Sequence, residues 1–193
     1  VTFIVGGNGS GKSTLGKLIS EHYIPSHGEI YFGDQQITAV NRGAARSLIS
    51  AIYSDFYTFN KLYGQLSKEA PALTEHYLEY LQLDKVVKIN ANVISNTNLS
   101  DGQKRRLALL TSLLEDREMY LFDEWAADQD PRFKQFFYQE ILPYLSARGK
   151  AVIAITHDDR YFSAADKIIT MEDGKVSAVI DKPAANASRQ PAG

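Results

Sequence analysis

Cysteine is missing altogether from the 193 residues. Its absence excludes a disulfide scaffold, a cysteine-ligated zinc site and a thiol nucleophile. Long apolar runs are missing too. No stretch approaches the ~18 residues of a membrane span, and runs such as Ala151–Ile155 have the length of buried strands. There is no basic excess: 21 Lys and Arg face 23 Asp and Glu, for a net charge of -2. That argues against a general nucleic-acid binder, so no nucleic-acid partner is expected. No secretory leader, internal repeat or coiled-coil heptad is visible. What remains is ordinary globular composition, 44% hydrophobic and 23% charged, in a length that suits one domain with or without a subdomain. The chain opens on Val1, already inside a strand pattern, and reads as a piece of a longer polypeptide.

Strand and helix patterns alternate. Val1–Val5 is a β-branched and aromatic run, and Thr14–Tyr23 has helical spacing at Leu15, Leu18, Ile19 and His22, ended by Pro25 and Gly28. Glu29–Phe32 and Gln36–Thr38 flank Gly33-Asp34, which predicts a hairpin. Further strands are expected at Ser50–Tyr53, Glu118–Phe122, Ala151–Thr156, Lys167–Met171 and Lys175–Ile180, and helices at Leu73–Leu81, Asp101–Glu115 and Pro131–Leu145. Parallel neighbours need crossovers, so the alternation implies a mainly parallel sheet. Ala184–Gly193, rich in Ala, Ser and Pro, is expected to be a disordered tail.

Gly6-Gly7-Asn8-Gly9-Ser10-Gly11-Lys12-Ser13 matches a phosphate-binding loop and lies between a strand and a helix, as that chemistry requires. Glycines let backbone N–H groups converge on phosphate oxygens, and the following helix start at Ser13-Thr14 adds its positive dipole end. Lys12 would reach the β- and γ-phosphates, and Ser13 would offer its hydroxyl to Mg²⁺. Met119–Phe122 ends in Asp123 and Glu124, so Asp123 can hold Mg²⁺ and Glu124 can polarise an attacking water. The bland alternative is a solvated acidic pair at a strand end. Leu99-Ser100-Asp101-Gly102-Gln103 reads as a helix start with a Ser100/Gln103 capping box and open N–H groups. Lys104-Arg105-Arg106 after it reads as a solvated face. His157 follows a strand directly and could bond a phosphate oxygen or a carboxylate.

These elements, in this order, resemble the nucleotide-binding domain of ABC ATPases. Gly6–Thr14 resembles Walker A, Leu99–Gln103 the LSGGQ signature with Asp101 for its first glycine, Tyr120–Glu124 Walker B with the catalytic glutamate, Ala127–Pro131 the D-loop and His157 the switch histidine. The runs Asn98–Leu107 and Tyr120–Pro131 are similar to the group that exports cyclic peptides and siderophores, of the syringomycin and pyoverdine type, in which the ATPase is fused behind a membrane domain. The resemblance implies an α/β P-loop NTPase core of the RecA-like, ABC ATPase class, with an antiparallel β hairpin region and an inserted helical subdomain at about residues 58–107. The ATPase domain would span residues 1–183.

It also implies ATP and Mg²⁺ as ligands. Gly6, Asn8, Gly9, Ser10, Gly11, Lys12, Ser13 and Thr14 would grip ATP, and Leu99, Ser100, Gly102 and Gln103 of a second copy would close on it head to tail. Glu124 and His157 would be catalytic. The implied partners are that second copy and a fused or associated transmembrane domain, which alone would contact the exported peptide. The implied place is the cytoplasmic face of the bacterial inner membrane. In two respects the chain departs from the family. Ser54, followed by Asp55, stands where a Mg²⁺-contacting Gln is usual, so contact there would need a water or Asp55. The aromatic that stacks on adenine would lie upstream of Val1. The alternative is a soluble ABC ATPase of the DNA-repair or translation type. The first would insert a coiled coil, whereas only about 85 residues, without heptads, separate Ser13 from Leu99. The second would carry two such domains. A small-molecule kinase would lack both Leu99–Gln103 and Glu124.

Overall fold

The structure is a computed structural model that describes residues 1–55, 61–62, 70–90, 92–96 and 98–182. In chain order the elements are β1 (Thr2–Gly6), α1 (Lys12–Ile19), β2 (Ile30–Phe32), β3 (Gln35–Ile37), α2 (Arg42–Ser47), β4 (Ile49–Ile52), α3 (Ala70–Tyr80), β5 (Ile89–Asn90), β6 (Val93–Ile94) and α4 (Asp101–Glu115). They continue with β7 (Met119–Asp123), α5 (Pro131–Phe136), a π turn (Phe137–Ile141), α6 (Leu142–Ala147), β8 (Ala151–Ile155), a 3₁₀ turn (Asp159–Ala164), β9 (Lys167–Glu172) and β10 (Lys175–Asp181).

Six strands form one sheet in the order β10-β9-β1-β8-β7-β4. All neighbours are parallel except β10, which returns antiparallel along β9. Side chains alternate between the two faces. Ile4 and Ile155 pack with Met171 under Leu15 and Ile19 of α1. Helix α1 comes close because Gly16 carries no Cβ; one built there would lie 3.0 Å from Ile155 Cδ1. On the other face Phe3, Val152, Ala154, Tyr120 and Phe122 meet the aromatic and leucine residues of α4, α5 and α6. The parallel strands end together at Gly6, Ile52, Asp123 and Ile155, and in open α/β sheets that edge is where ligands sit.

The strands, the β2–β3 hairpin and the 101–115 helix lie within a residue or two of their expected places. Other segments differ. Helix α1 stops at Ile19, not Tyr23, because the Ser20 hydroxyl donates back to the Gly16 carbonyl and Glu21 takes φ 60. The single helix expected over 131–145 is interrupted by the π turn. Pro143 has no N–H for a carbonyl four residues earlier and its ring crowds that carbonyl, and the wide turn just before it relieves both. Helix α2, the β5–β6 pair and the 3₁₀ turn are too short to announce themselves in sequence. Of the helical subdomain expected at 58–107, the structure describes α3, the β5–β6 pair and the start of α4; residues 58–60 and 63–69 lie outside the described residues. The expected tail, Ala184–Gly193, also lies outside them.

Candidate functional site

The loop after β1 is shaped by backbone that only glycine adopts easily: Gly9 has φ 78 and Gly11 φ 93. Gly11 caps α1 without any side chain, so the first N–H groups of the helix stay available. Lys12 is buried, and its Nζ donates to the carbonyls of Gly6 at 3.0 Å and Gly7 at 2.8 Å. The ammonium thus sits inside the curl of the loop. Ser10 Oγ is buried there with no partner. Asn8, Gly9, Ser13 and Thr14 face solvent. Open N–H donors, an enclosed ammonium and an orphaned hydroxyl suit a polyphosphate.

Ser13 Oγ donates to Asp123 Oδ1 at 3.2 Å, joining the loop to the end of β7. Burial pushes the Asp123 carboxyl above its ordinary range; the Ser13 bond opposes this, and the charges of Glu124 and Asp55 add to it. Among the described residues no three carboxylate or imidazole groups gather into a metal cage. A two-oxygen site fits Mg²⁺, which usually takes one or two protein oxygens and completes its shell with water and substrate phosphates.

Glu124, next along, leaves the strand in a left-handed conformation at φ 51 while its N–H still bonds the Ile155 carbonyl at 3.0 Å. The bend turns its side chain toward the end of β8, where His157 Nε2 lies 2.9 Å from Glu124 Oε1. Both side chains are half-exposed. A cleft of about 300 Å³ opens beside them, walled in part by Lys134, Tyr138 and Thr156. A half-exposed carboxylate oriented by an imidazole, one residue beyond the buried Asp123 carboxyl, can accept a proton from water.

The helix start at 99–103 is built as expected. Ser100 caps α4, its Oγ accepting from the Gln103 N–H at 3.3 Å while Gln103 Oε1 accepts from the Ser100 N–H at 3.0 Å. Leu99 is buried in the core, whereas Ser100 is exposed. Among the described residues no hydrogen bond or ion pair joins 99–103 to 6–14. The chain therefore brings Gly6–Thr14, Asp123, Glu124 and His157 together and leaves Ser100, Gly102 and Gln103 as a separate surface, with Leu99 packed into the core beneath it. Ser54 and Asp55 lie exposed in the turn after β4, and neither side chain bonds Ser13 or Asp123. Asp55 acts on Asp123 through its charge alone.

The basic run after the signature is not the solvated face the sequence reading expects. Only Lys104 is, pairing with Asp101. Arg105 is buried and binds Asp128 at 2.7 Å and the Glu124 carbonyl at 3.2 Å. Arg106 donates to Gln129 and Asp130, and its guanidinium lies 3.6 Å from the centre of the Phe133 ring. Gln129 donates to the Gly102 carbonyl at 3.1 Å, and the Trp125 indole N–H to that of Arg105 at 3.0 Å. A signal was present: Arg105, Leu109 and Ser112 share one helical face, and that face is buried.

The sequence profile of the family described as "ABC transporter" matches residues 1–127. The ATP-binding protein SyrD of Pseudomonas syringae pv. syringae is 51% identical over 177 residues, which cover 90% of this chain and 31% of that protein. The chain thus spans about a third of the length of that relative. A bacterial Atm1-family ABC exporter with ATP bound superposes with a TM-score of 0.77 at 24% identity, covering 94% of this chain and 33% of the other. An ATP-binding cassette in a dimeric post-hydrolysis state, bound to ADP and Pi, superposes with a TM-score of 0.76 at 23% identity over 93% of this chain and 84% of that one. These two likenesses establish the fold.

Proposed function

The chain belongs to the ABC transporter family and carries its ATPase cassette, and from that premise we propose that it powers export of a cyclic peptide or peptide siderophore across the bacterial inner membrane. The observation that carries the catalytic part is the 2.9 Å contact of His157 with Glu124, one residue beyond the Ser13–Asp123 pair. Lys12 and the N–H groups from Gly9 to Thr14 hold the triphosphate. Mg²⁺, when bound at Ser13 and Asp123, supplies positive charge to the β- and γ-phosphate oxygens. Glu124 takes the proton of the attacking water, and His157 fixes the direction of its carboxylate. Asp55, with Ser54, is placed to contact the cation through water.

The surface at Ser100, Gly102 and Gln103, over the buried Leu99, makes no bond to the phosphate loop of its own chain among the described residues, which supports a head-to-tail pair in which each copy completes the other's site. Residues 1–183 form this ATPase domain, with 58–107 as its helical subdomain and 184–193 as a tail. A fused or associated membrane domain would select the peptide, and the cassette would work at the cytoplasmic face. The similarity to SyrD favours this reading over a soluble DNA-repair or translation ATPase.

Glu124→Gln in the full-length protein tests the proposal. Phosphate release should fall by about 10²–10⁴-fold, the usual effect of losing a positioned base. The variant should also accumulate as a dimer on size-exclusion chromatography with ATP and Mg²⁺. Wild-type turnover would remove Glu124 from the mechanism.

A further inference from the structure

The π turn at Phe137–Ile141 widens the helix so that two consecutive residues are buried against different partners. Phe137 stacks on Trp125 with ring centroids 4.4 Å apart. Tyr138 instead faces the end of β8, where its hydroxyl lies 2.6 Å from Thr156 Oγ1 in a fully buried contact. The same Thr156 oxygen accepts from the Asp158 N–H at 3.0 Å, and the Thr156 N–H bonds the Ile4 carbonyl at 3.2 Å. Asp158 is held in turn by a two-pronged contact with Arg160, at 2.8 and 3.0 Å, and by Lys134 at 3.6 Å. His157 therefore lies between two anchored neighbours, and only its own side chain is open.

We propose that Tyr138 is a positioning residue for the His157–Glu124 pair, acting through the Thr156 hydroxyl, and that the π turn is the device that delivers it. The inference rests on the roles given above to Glu124 and His157. The physical argument is one of reach. A two-residue segment leaving a strand end can rotate about the strand axis, and a swing of an ångström at His157 would break a 2.9 Å contact. Thr156 blocks that rotation by bonding forward to Asp158, and Tyr138 fixes the Thr156 rotamer from the helical side. The Tyr138 ring is itself clamped, stacked on Tyr161 at 4.4 Å and edge-on to Phe3 at 5.8 Å. Replacing its hydroxyl with hydrogen leaves those ring contacts in place.

The test is steady-state ATP hydrolysis by the full-length protein carrying Tyr138→Phe, Thr156→Val or Thr156→Ser, each also made in a His157→Ala background. Tyr138→Phe and Thr156→Val should each lower kcat by about tenfold, a part of the ~100-fold that an ångström misplacement can cost, with KM for ATP within about twofold of wild type. Thr156→Ser keeps the hydroxyl and should retain most of the turnover. In the His157→Ala background Tyr138→Phe should have no further effect, because the residue it positions is gone. An undiminished kcat in Tyr138→Phe, or a loss that persists in full without His157, overturns the proposal. If His157→Ala alone keeps wild-type turnover, it is the assigned role of His157 that fails, and the positioning role falls with it. Should Tyr138→Phe not fold, the Thr156→Val and Thr156→Ser pair decides the matter.

Discussion

Arg105 and Asp128 form a 2.7 Å ion pair in which the cation is buried and the anion half-exposed. The pair joins helix α4 to the loop that follows Glu124, and a second guanidinium nitrogen holds the Glu124 carbonyl. Asp128→Ala takes away the carboxylate and leaves a buried guanidinium facing that loop. Losing one partner of a fully buried pair costs 3–5 kcal/mol; with Asp128 half in water, about 2 kcal/mol is expected. Urea denaturation measures it. Arg105→Lys should recover little, because an ammonium cannot serve both acceptors with a planar fork.

The phosphate loop offers a paired test of backbone conformation. Gly6 has φ 146, and a Cβ there would stand 2.2 Å from the carbonyl oxygen of Met171, its own neighbour in the β1–β9 ladder. Neither strand can shift without breaking the sheet, so Gly6→Ala should destabilise the fold by about 3 kcal/mol. Gly7 has open space where its Cβ would go and no positive φ. Gly7→Ala should leave the denaturation midpoint nearly unchanged. Equal costs at the two sites would mean that the strand junction is looser than described.

Asp130 caps α5, its Oδ1 accepting from the N–H groups of Arg132 at 3.1 Å and Phe133 at 3.0 Å. The Phe133 N–H, helped by Arg106, holds its carboxyl below the ordinary 3.8. A carboxyl lowered on folding stabilises the fold above its unfolded value and stops doing so as pH falls through the folded one. Asp130→Ala should cost about 1 kcal/mol at neutral pH. The gap between wild type and Asp130→Ala should narrow as pH drops below 3.8. Asp130→Asn keeps the cap without the charge and should show no such narrowing. Thermal unfolding across pH 2–7 compares the three.

Ser100 caps α4 and, in the proposed pair, also contacts the second copy. Ser100→Arg removes the cap as well as placing bulk on the open surface, so its failure would be ambiguous alone. Ser100→Asp keeps a good cap but presents a negative charge where a partner's phosphate is expected. It should fold as well as wild type, bind ATP to one copy, form no dimer with ATP and Mg²⁺, and hydrolyse about 10²-fold less, as when one charge-stabilising donor is lost. Light scattering beside phosphate release reads both. Normal dimer formation by Ser100→Asp would sink the two-copy site.

The parts of this site that follow from periodicity and local chemistry were legible in the sequence. The glycine pattern before Lys12, the capping box from Ser100 to Gln103 and the carboxylates ending Met119–Phe122 each act within a few residues, so spacing alone describes them. What sequence could not supply depends on elements far apart in the chain. Arg105 looks like one of three surface cations until α4 packs beside Asp128, 23 residues later. The contact of Glu124 with His157 needs both the β7–β8 pairing and the backbone bend at φ 51, which for a non-glycine residue is set by its surroundings. The π turn was hidden because Phe133, Phe137 and Ile141 keep a regular fourfold spacing through it. Short elements such as β5 and β6 carry too few residues for a period to show.

Helix α4 has 15 residues and so is about 22 Å long. Near Ser100 it is fastened by Arg105, Arg106 and the Gln129 bond to Gly102, and farther along by Leu109, Leu113 and the 2.8 Å bond from Ser50 to Ser112. In mechanical terms it is a rod pinned at both ends, with one pin on the Glu124 loop and the other on strand β4. The guanidinium that holds the Ser100 end of the rod also holds the Glu124 carbonyl, so the helix tip and the bend that carries the carboxylate share one anchor.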